Sequence, residues 1–233
     1  MKFISRVIDL IQRTDDVLSI RFERPKIFDY LPGQYMFLTL DKYGKKLRKH
    51  FTFSSSPTEE GFIEITKRLT GHEYSNALTE LEIGETVSID APYGKFTFKG
   101  EYNKILFLTG GIGIAPIRSI IRYCTDDEIN SDMALVYSCR YEDSIPFREE
   151  LDELQRINLN LNVFYTLTQP TENWTGLAGR ISVDMIKEEV PDYFERVSYV
   201  CGPPGMVDSI MNILINELKI PTPQIMYEHF LGY

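Results

Sequence analysis

Apolar and polar side chains alternate every second position over six short stretches of the first ninety residues: 2–11, 17–24, 34–40, 49–54, 61–67 and 86–90. Period two predicts a β-strand for each. Pro25, Pro32-Gly33, the Asp41 to Gly44 segment, Pro57, Gly61 and Gly84 separate them as turns. Six short strands with tight connections predict an antiparallel barrel or sandwich. One helix interrupts them at 73–81, where Tyr74, Ala77 and Leu78 share a face.

The period changes near residue 100. Apolar stretches at 104–109, 133–138, 160–166 and 197–201 read as buried strands. They alternate with helical patterns at 116–124, 146–156, 182–188 and 206–218, and a last extended segment covers 224–230. Strands alternating with helices predict a parallel sheet with crossover helices. The polar stretch Lys99 to Asn103 marks the change, which divides the chain into domains of residues 1–100 and 101–233.

Composition narrows the class. Of 233 residues, 43% are hydrophobic and 25% charged, an ordinary globular profile that excludes a disordered tail, a collagen-like fibre and a disulfide-stapled miniprotein. The net charge of −9 repels phosphate backbones, so no nucleic-acid partner is expected, although Lys45, Lys46, Arg48 and Lys49 form a local basic run. Cys124, Cys139 and Cys201 stand far apart, without the spacing of a zinc knuckle or an iron–sulfur cluster. His50, His72 and His229 are scattered, and no metal site is expected. Sparse cysteines suit a reducing cytoplasm. No stretch reaches the roughly 20 apolar residues of a membrane span, and the start of the chain lacks a signal-peptide pattern. The expectation is a cytoplasmic protein.

Candidate chemistry lies in two turns. Thr109-Gly110-Gly111-Ile112-Gly113-Ile114-Ala115-Pro116 leaves a predicted strand and enters a predicted helix. Glycines allow close backbone approach, and the amides and dipole at a helix start attract a pyrophosphate. Pro116 suits a first helical turn. The usual dinucleotide fingerprint is incomplete, with GxGxxP in its place, and a plain strand–turn–helix connection accounts for the same glycines. A second turn, Cys201-Gly202-Pro203-Pro204-Gly205, also follows a strand. Ligands of open α/β sheets collect at such carboxyl ends, so the two turns point to one site. Taken alone, Cys201 reads most often as a small buried hydrophobe.

The order of motifs resembles the ferredoxin–NADP reductase-like flavoprotein oxidoreductases over nearly the whole chain. Gly33-Gln34-Tyr35 is similar to the family's GQY strand start. Lys49-His50-Phe51-Thr52 is similar to its RxYS flavin motif, continued by Ser54 to Pro57. Ile65-Thr66-Lys67 with Gly71 to Ser75 resembles the second flavin segment, and Pro92 to Phe96 the turn closing the barrel. Gly111 to Pro116, Tyr137 to Arg140, Gly176 to Arg180 and Cys201 to Pro203 resemble the nicotinamide-domain motifs, in order. Two departures stand out. Lys49 replaces the arginine, with Arg48 beside it, and the Gly71–Ser75 spacing is one residue longer than the common GxxS.

The resemblance implies a six-stranded antiparallel FAD-binding β-barrel followed by an α/β parallel-sheet nicotinamide-nucleotide domain, whose C-terminal tail returns to the flavin. It implies that Tyr35 and Phe51 pack on the flavin and its ribityl chain, and that Thr52 hydrogen-bonds near flavin N5. Phe53, Ser54, Ile65 and Lys67 belong to the same cradle. Arg48 or Lys49, with His72, Tyr74 and Ser75, would hold the pyrophosphate. Gly110, Gly111, Gly113, Ile114, Ala115, Pro116, Ser138, Arg140, Gly202 and Pro203 would receive the nicotinamide nucleotide. Cys201 would lie beside the nicotinamide. Glu228 would assist hydride transfer or face solvent, and Phe230 or Tyr233 would cover the flavin. Glu142 and Asp143 follow Arg140 and disfavour a 2′-phosphate, so NADH is favoured over NADPH.

The function implied is hydride transfer from NAD(P)H to FAD, then electron transfer to a separate acceptor: ferredoxin, flavodoxin or an oxygenase component. Two alternatives stand beside it. One is an NAD(P)H:flavin reductase that releases reduced flavin; the other is an electron-transfer or regulatory subunit without turnover of its own.

Overall fold

The computed structural model describes residues 1–230, and its contacts divide the chain into two units. The first comprises Met1–Lys99 together with Ala115–Tyr123; the second comprises Gly100–Ile114 and the chain from Cys124 onward. Ala115–Tyr123 is the interior of a helix that sequence order alone assigns to the second domain.

The first unit is a six-stranded antiparallel sheet in the order β4-β3-β6-β1-β2-β5. Its strands are β1 (Lys2–Thr14), β2 (Val17–Glu23), β3 (Tyr35–Lys42), β4 (Lys45–Thr52), β5 (Phe62–Arg68) and β6 (Thr86–Tyr93). β1 serves two neighbours, pairing with β6 over Lys2–Arg6 and with β2 over Val7–Thr14, with a register shift between Val7 and Asp9. Such irregularities bend a strand around a barrel corner. The outer strands β4 and β5 meet through a bridge from Phe53 to Ile65, just beyond the end of β4. Met36, Leu38, Leu40, Ile20, Phe22, Phe53, Ile63 and Ile65 fill the interior. Helix α1 (Glu73–Thr79) packs Tyr74, Ala77 and Leu78 against that core.

The 49–54 expectation is displaced. Tyr43 and Gly44 both take positive φ, so a two-residue turn joins β3 to β4, and β4 begins at Lys45. The basic run is therefore strand, not turn; a row of cations hides the alternation from a hydrophobicity reading.

The second unit is a wholly parallel six-stranded sheet, β10-β9-β8-β7-β11-β12. The strands are β7 (Lys104–Gly110), β8 (Asp132–Cys139), β9 (Leu161–Leu167), β10 (Leu177–Ala178), β11 (Val197–Gly202) and β12 (Ile225–His229). Helices α2 (Ile114–Asp126), α3 (Arg148–Ile157), α4 (Val183–Glu189) and α5 (Pro204–Asn212) provide the crossovers, and α5 continues as a π-helical turn over Ile213–Glu217. The two-residue β10 was too short for any periodicity to predict. Sequence order reverses between β7 and β11, which makes the carboxyl ends of those strands the topological switch point. Among the described residues no helix is long and apolar enough to cross a membrane.

Candidate functional site

Strand alternation sorts the predicted flavin residues. Tyr35 lies opposite Thr52, Met36 opposite Phe51, Phe37 opposite His50 and Leu38 opposite Lys49. Partners across an antiparallel pair share a face, and successive residues do not. Lys49 and Phe51 therefore share the face of the buried Met36 and Leu38. Tyr35, Arg48, His50 and Thr52 occupy the other.

The two predicted flavin aromatics thus lie on opposite faces of the sheet, and Tyr35 joins Phe37, His50 and Tyr93 in an aromatic cluster with ring centroids 5.4–6.1 Å apart. Arg48 bonds Asp90 at 3.1 Å and lies 4.1 Å above the Phe37 ring, on the face opposite Lys49. Lys45 is likewise paired, with Glu73.

The second segment repeats the pattern. Phe53 and Ile65 are fully buried, Phe53 against Tyr30 at 4.2 Å, so only their backbone remains for a cofactor. The Ser54 hydroxyl donates to Glu64 Oε1 at 3.0 Å and accepts from Thr66. Tyr74 donates to the Leu38 carbonyl and packs 5.6 Å from Phe51. The Ser75 hydroxyl accepts from the Thr70 amide, while His72 stays exposed with no side-chain capping bond. Lys49 shares the strand face of Phe51, which packs on Tyr74, and Lys67 lies close enough to Lys49 to feel its charge. Burial, then the nearby charges of Lys49 and Arg68, holds the Lys67 ammonium below the usual lysine range. Cations gathered this way call for an anion. The Thr52 hydroxyl, nearly buried, has no hydrogen-bond partner among the described residues.

The 52–59 segment is pinned more tightly than the sequence reading foresaw. Glu59 binds the Arg118 guanidinium through both carboxylate oxygens, and Arg118 Nη1 also donates to the Ser54 carbonyl at 2.8 Å. The signal was present: Arg118 interrupts the apolar run of α2 between Ile117 and Ile120, and it is buried.

In the second unit, Gly110 ends β7 in register with Ser138, and Gly111 follows with φ of 53°, a conformation that suits glycine. Tyr137 donates to the Gly111 carbonyl at 2.8 Å. A Cβ on Gly113 would stand 2.6 Å from both the Cys201 carbonyl and Thr109 Oγ1, and one on Gly110 would strike Met206. Gly113 is thus required by the close packing of the two turns, before any ligand is considered, whereas at Gly110 the flexible Met206 side chain could give way. Ile114 and Ala115 are buried behind the turn, Pro116 lies in the first turn of α2, and Pro203 precedes α5.

The Cys201 thiol is fully buried and donates to the Gly113 carbonyl at 3.0 Å, and burial pushes it far above the ordinary thiol range. It ties the two turns together. Glu228 lies in register with Cys201, and burial pushes its carboxyl up to about 6. Its Oε2 is enclosed and has no hydrogen-bond partner among the described residues. Arg140 donates to Gln169 and lies over the Tyr141 ring, beside exposed Glu142 and Asp143. The Phe230 amide donates to the Gly202 carbonyl. Tyr233 lies outside the described residues.

Comparison with known proteins agrees with this division. The oxidoreductase FAD-binding domain family matches residues 6–98, and the oxidoreductase NAD-binding domain family matches 107–212. The glycine betaine monooxygenase reductase subunit of Pseudomonas aeruginosa (strain UCBPP-PA14) is 32% identical over 220 residues, covering 91% of this chain and 60% of that protein. The reductase component of propane 2-monooxygenase from Mycolicibacterium goodii is 26% identical, covering 97% and 67%. In fold, the chain superposes on the cytochrome b5 reductase domain of Ulva prolifera nitrate reductase with a TM-score of 0.85 at 19% identity, over 98% of this chain and 97% of that one.

The chain therefore belongs to the ferredoxin–NADP reductase-like family of FAD-dependent NAD(P)H oxidoreductases. It carries an FAD-binding domain and then an NAD-binding domain, and it spans about 60% of the length of the glycine betaine monooxygenase reductase subunit it matches.

Proposed function

We propose that this chain takes hydride from NADH onto bound FAD in the cytoplasm and passes the electrons to a separate protein acceptor. FAD, when bound, converts two-electron hydride chemistry into one-electron transfer. The carrying observation is the placement of Lys49 on the strand face of Phe51, which packs on Tyr74, with Lys67 near enough to feel its charge and no carboxylate paired to Lys49 among the described residues. An aromatic face beside cations suits a flat ring joined to a pyrophosphate. Lys49 and Lys67 are the phosphate cations of this reading, Phe51 the ring contact and Thr52 the hydroxyl at the flavin N5 edge.

On the nucleotide side, the Gly110–Gly113 turn and the Gly202–Pro203 turn sit at the switch point of the sheet. Half-buried Gly111, at the tip of the first turn and the start of α2, is assigned to the NADH pyrophosphate. Arg140 is already committed to Gln169, and Glu142 and Asp143 repel a 2′-phosphate, which supports NADH. Phe230 is assigned to the flavin face. Glu228, enclosed and protonated near pH 6 or below, is assigned to the hydride site.

The names of two relatives, reductase components of monooxygenases, support an oxygenase component as acceptor; ferredoxin and flavodoxin are the other members of the class. Gel filtration after anaerobic reduction by NADH separates this reading from a flavin reductase. Reduced FAD should elute with the protein and discharge to an added iron–sulfur carrier. Reduced flavin eluting in the small-molecule volume would favour the flavin reductase instead.

A further inference from the structure

We propose that Arg118 is a positioning residue for the flavin end of the reaction. Clamped by Glu59, it fixes the Ser54 carbonyl and, through it, the Thr52 hydroxyl two residues upstream.

The three peptide groups that follow Phe53 are each held from outside the strand. The Ser54 amide donates to the Glu64 carbonyl at 2.8 Å, while the Ser54 carbonyl accepts from Arg118 Nη1 at 2.8 Å. The Ser55 carbonyl accepts from Ser119 at 2.6 Å and from Tyr30 at 3.1 Å. The Ser56 amide donates to Glu59 Oε2 at 2.7 Å, the carboxylate that grips Arg118. Arg118 thus joins both ends of the Ser54–Glu59 segment, and at 2% exposure it does so without water.

Neutral donors already hold Ser55, so a buried cation is an expensive way to hold Ser54 if stability is the only purpose. A guanidinium differs from a hydroxyl or an ammonium in geometry. Its planar fork meets both oxygens of Glu59 and a carbonyl at once, so it fixes direction as well as distance. Direction matters at a reacting centre, where a displacement of about 1 Å costs roughly 100-fold in rate. Only Phe53 separates Ser54 from Thr52; it is buried and its amide donates to the Gln34 carbonyl at 2.9 Å, so the segment is short and stiff.

The inference rests on assigning Thr52 to the flavin N5 edge, and the experiment separates the two. Full-length Arg118→Lys, Arg118→Met, Glu59→Gln and Thr52→Val are loaded with FAD. Each is measured for FAD affinity, for the long-wavelength absorption of bound flavin, and for the first-order rate of anaerobic reduction at saturating NADH. Arg118→Lys should keep FAD affinity within about threefold, shift the flavin band, and slow reduction by roughly 10- to 100-fold, with Glu59→Gln in between. If Arg118→Met does not fold, Arg118→Lys and Glu59→Gln decide. A folded, FAD-loaded Arg118→Lys with wild-type rate and spectrum overturns the proposal, as does slowing that vanishes once flavin occupancy is corrected. A slow Thr52→Val beside a silent Arg118→Lys rejects Arg118 alone. A silent Thr52→Val rejects the N5 assignment and the proposal with it.

Discussion

Lys49 and Lys67 carry most of the cofactor argument at the scale of single residues. Each repels the other when no anion lies between them, so removing one should weaken FAD binding and relieve that repulsion. Lys49→Ala and Lys67→Ala are each expected to raise the FAD dissociation constant about tenfold or more, the value of one charge-assisted contact, and Lys49→Ala to do so without loss of thermal stability in the apoprotein. Fluorescence titration and thermal melts check both halves. Glu228 gives a pH prediction. Unfolded, its carboxyl ionises near 4.5; folded, near 6. Between these values the native chain binds more protons, so stability falls as pH rises from about 4.5 to 6 and stays lowered above. Glu228→Gln should leave stability unchanged at pH 4 and raise it by about 1–2 kcal/mol at pH 8, as measured by urea unfolding. Sequence motifs made Lys49, Phe51 and Thr52 legible, because strand period alone puts residues 49 and 51 on one face. The burial of Phe53 and Ile65 was not legible, since a motif names positions and not which side of the chain they face; that of Cys201 was, from its apolar strand.

At the scale of elements, the glycine turn shows how a motif and a packing requirement coincide. Its place after β7 and before α2 was readable from the change of period. The reason for Gly113 was not, because the Cys201 carbonyl that fills its Cβ space is 88 residues away in the chain. Gly113→Ala must push the two turns apart. It is expected to cost about 1–3 kcal/mol in stability, the usual cost of overpacking, and to weaken NADH binding while FAD binding is unchanged. Calorimetry and separate titrations of the two nucleotides test this; NADH binding left intact would detach the turn from the nucleotide. The β3–β4 hairpin teaches the converse. Its turn at Tyr43-Gly44 was within the predicted Asp41 to Gly44 segment, yet the strand after it was predicted to start four residues late because cations occupy both of its faces.

For the whole molecule, the change from period two to alternating strands and helices announced two kinds of sheet, and both are present. Sequence order could not reveal that Ala115–Tyr123 keeps company with the first unit, because the cause is a handful of long-range bonds made by Arg118 and Ser119. The central claim is that this molecule delivers hydride from NADH to its own FAD. Anaerobic stopped-flow mixing of the FAD-loaded protein with NADH, and separately with NADPH, tests it most directly. The account predicts rapid, complete bleaching of the flavin by NADH and slower reduction by NADPH at equal concentration. A chain that takes up no FAD, or a bound flavin that stays oxidised with both nucleotides, would contradict it.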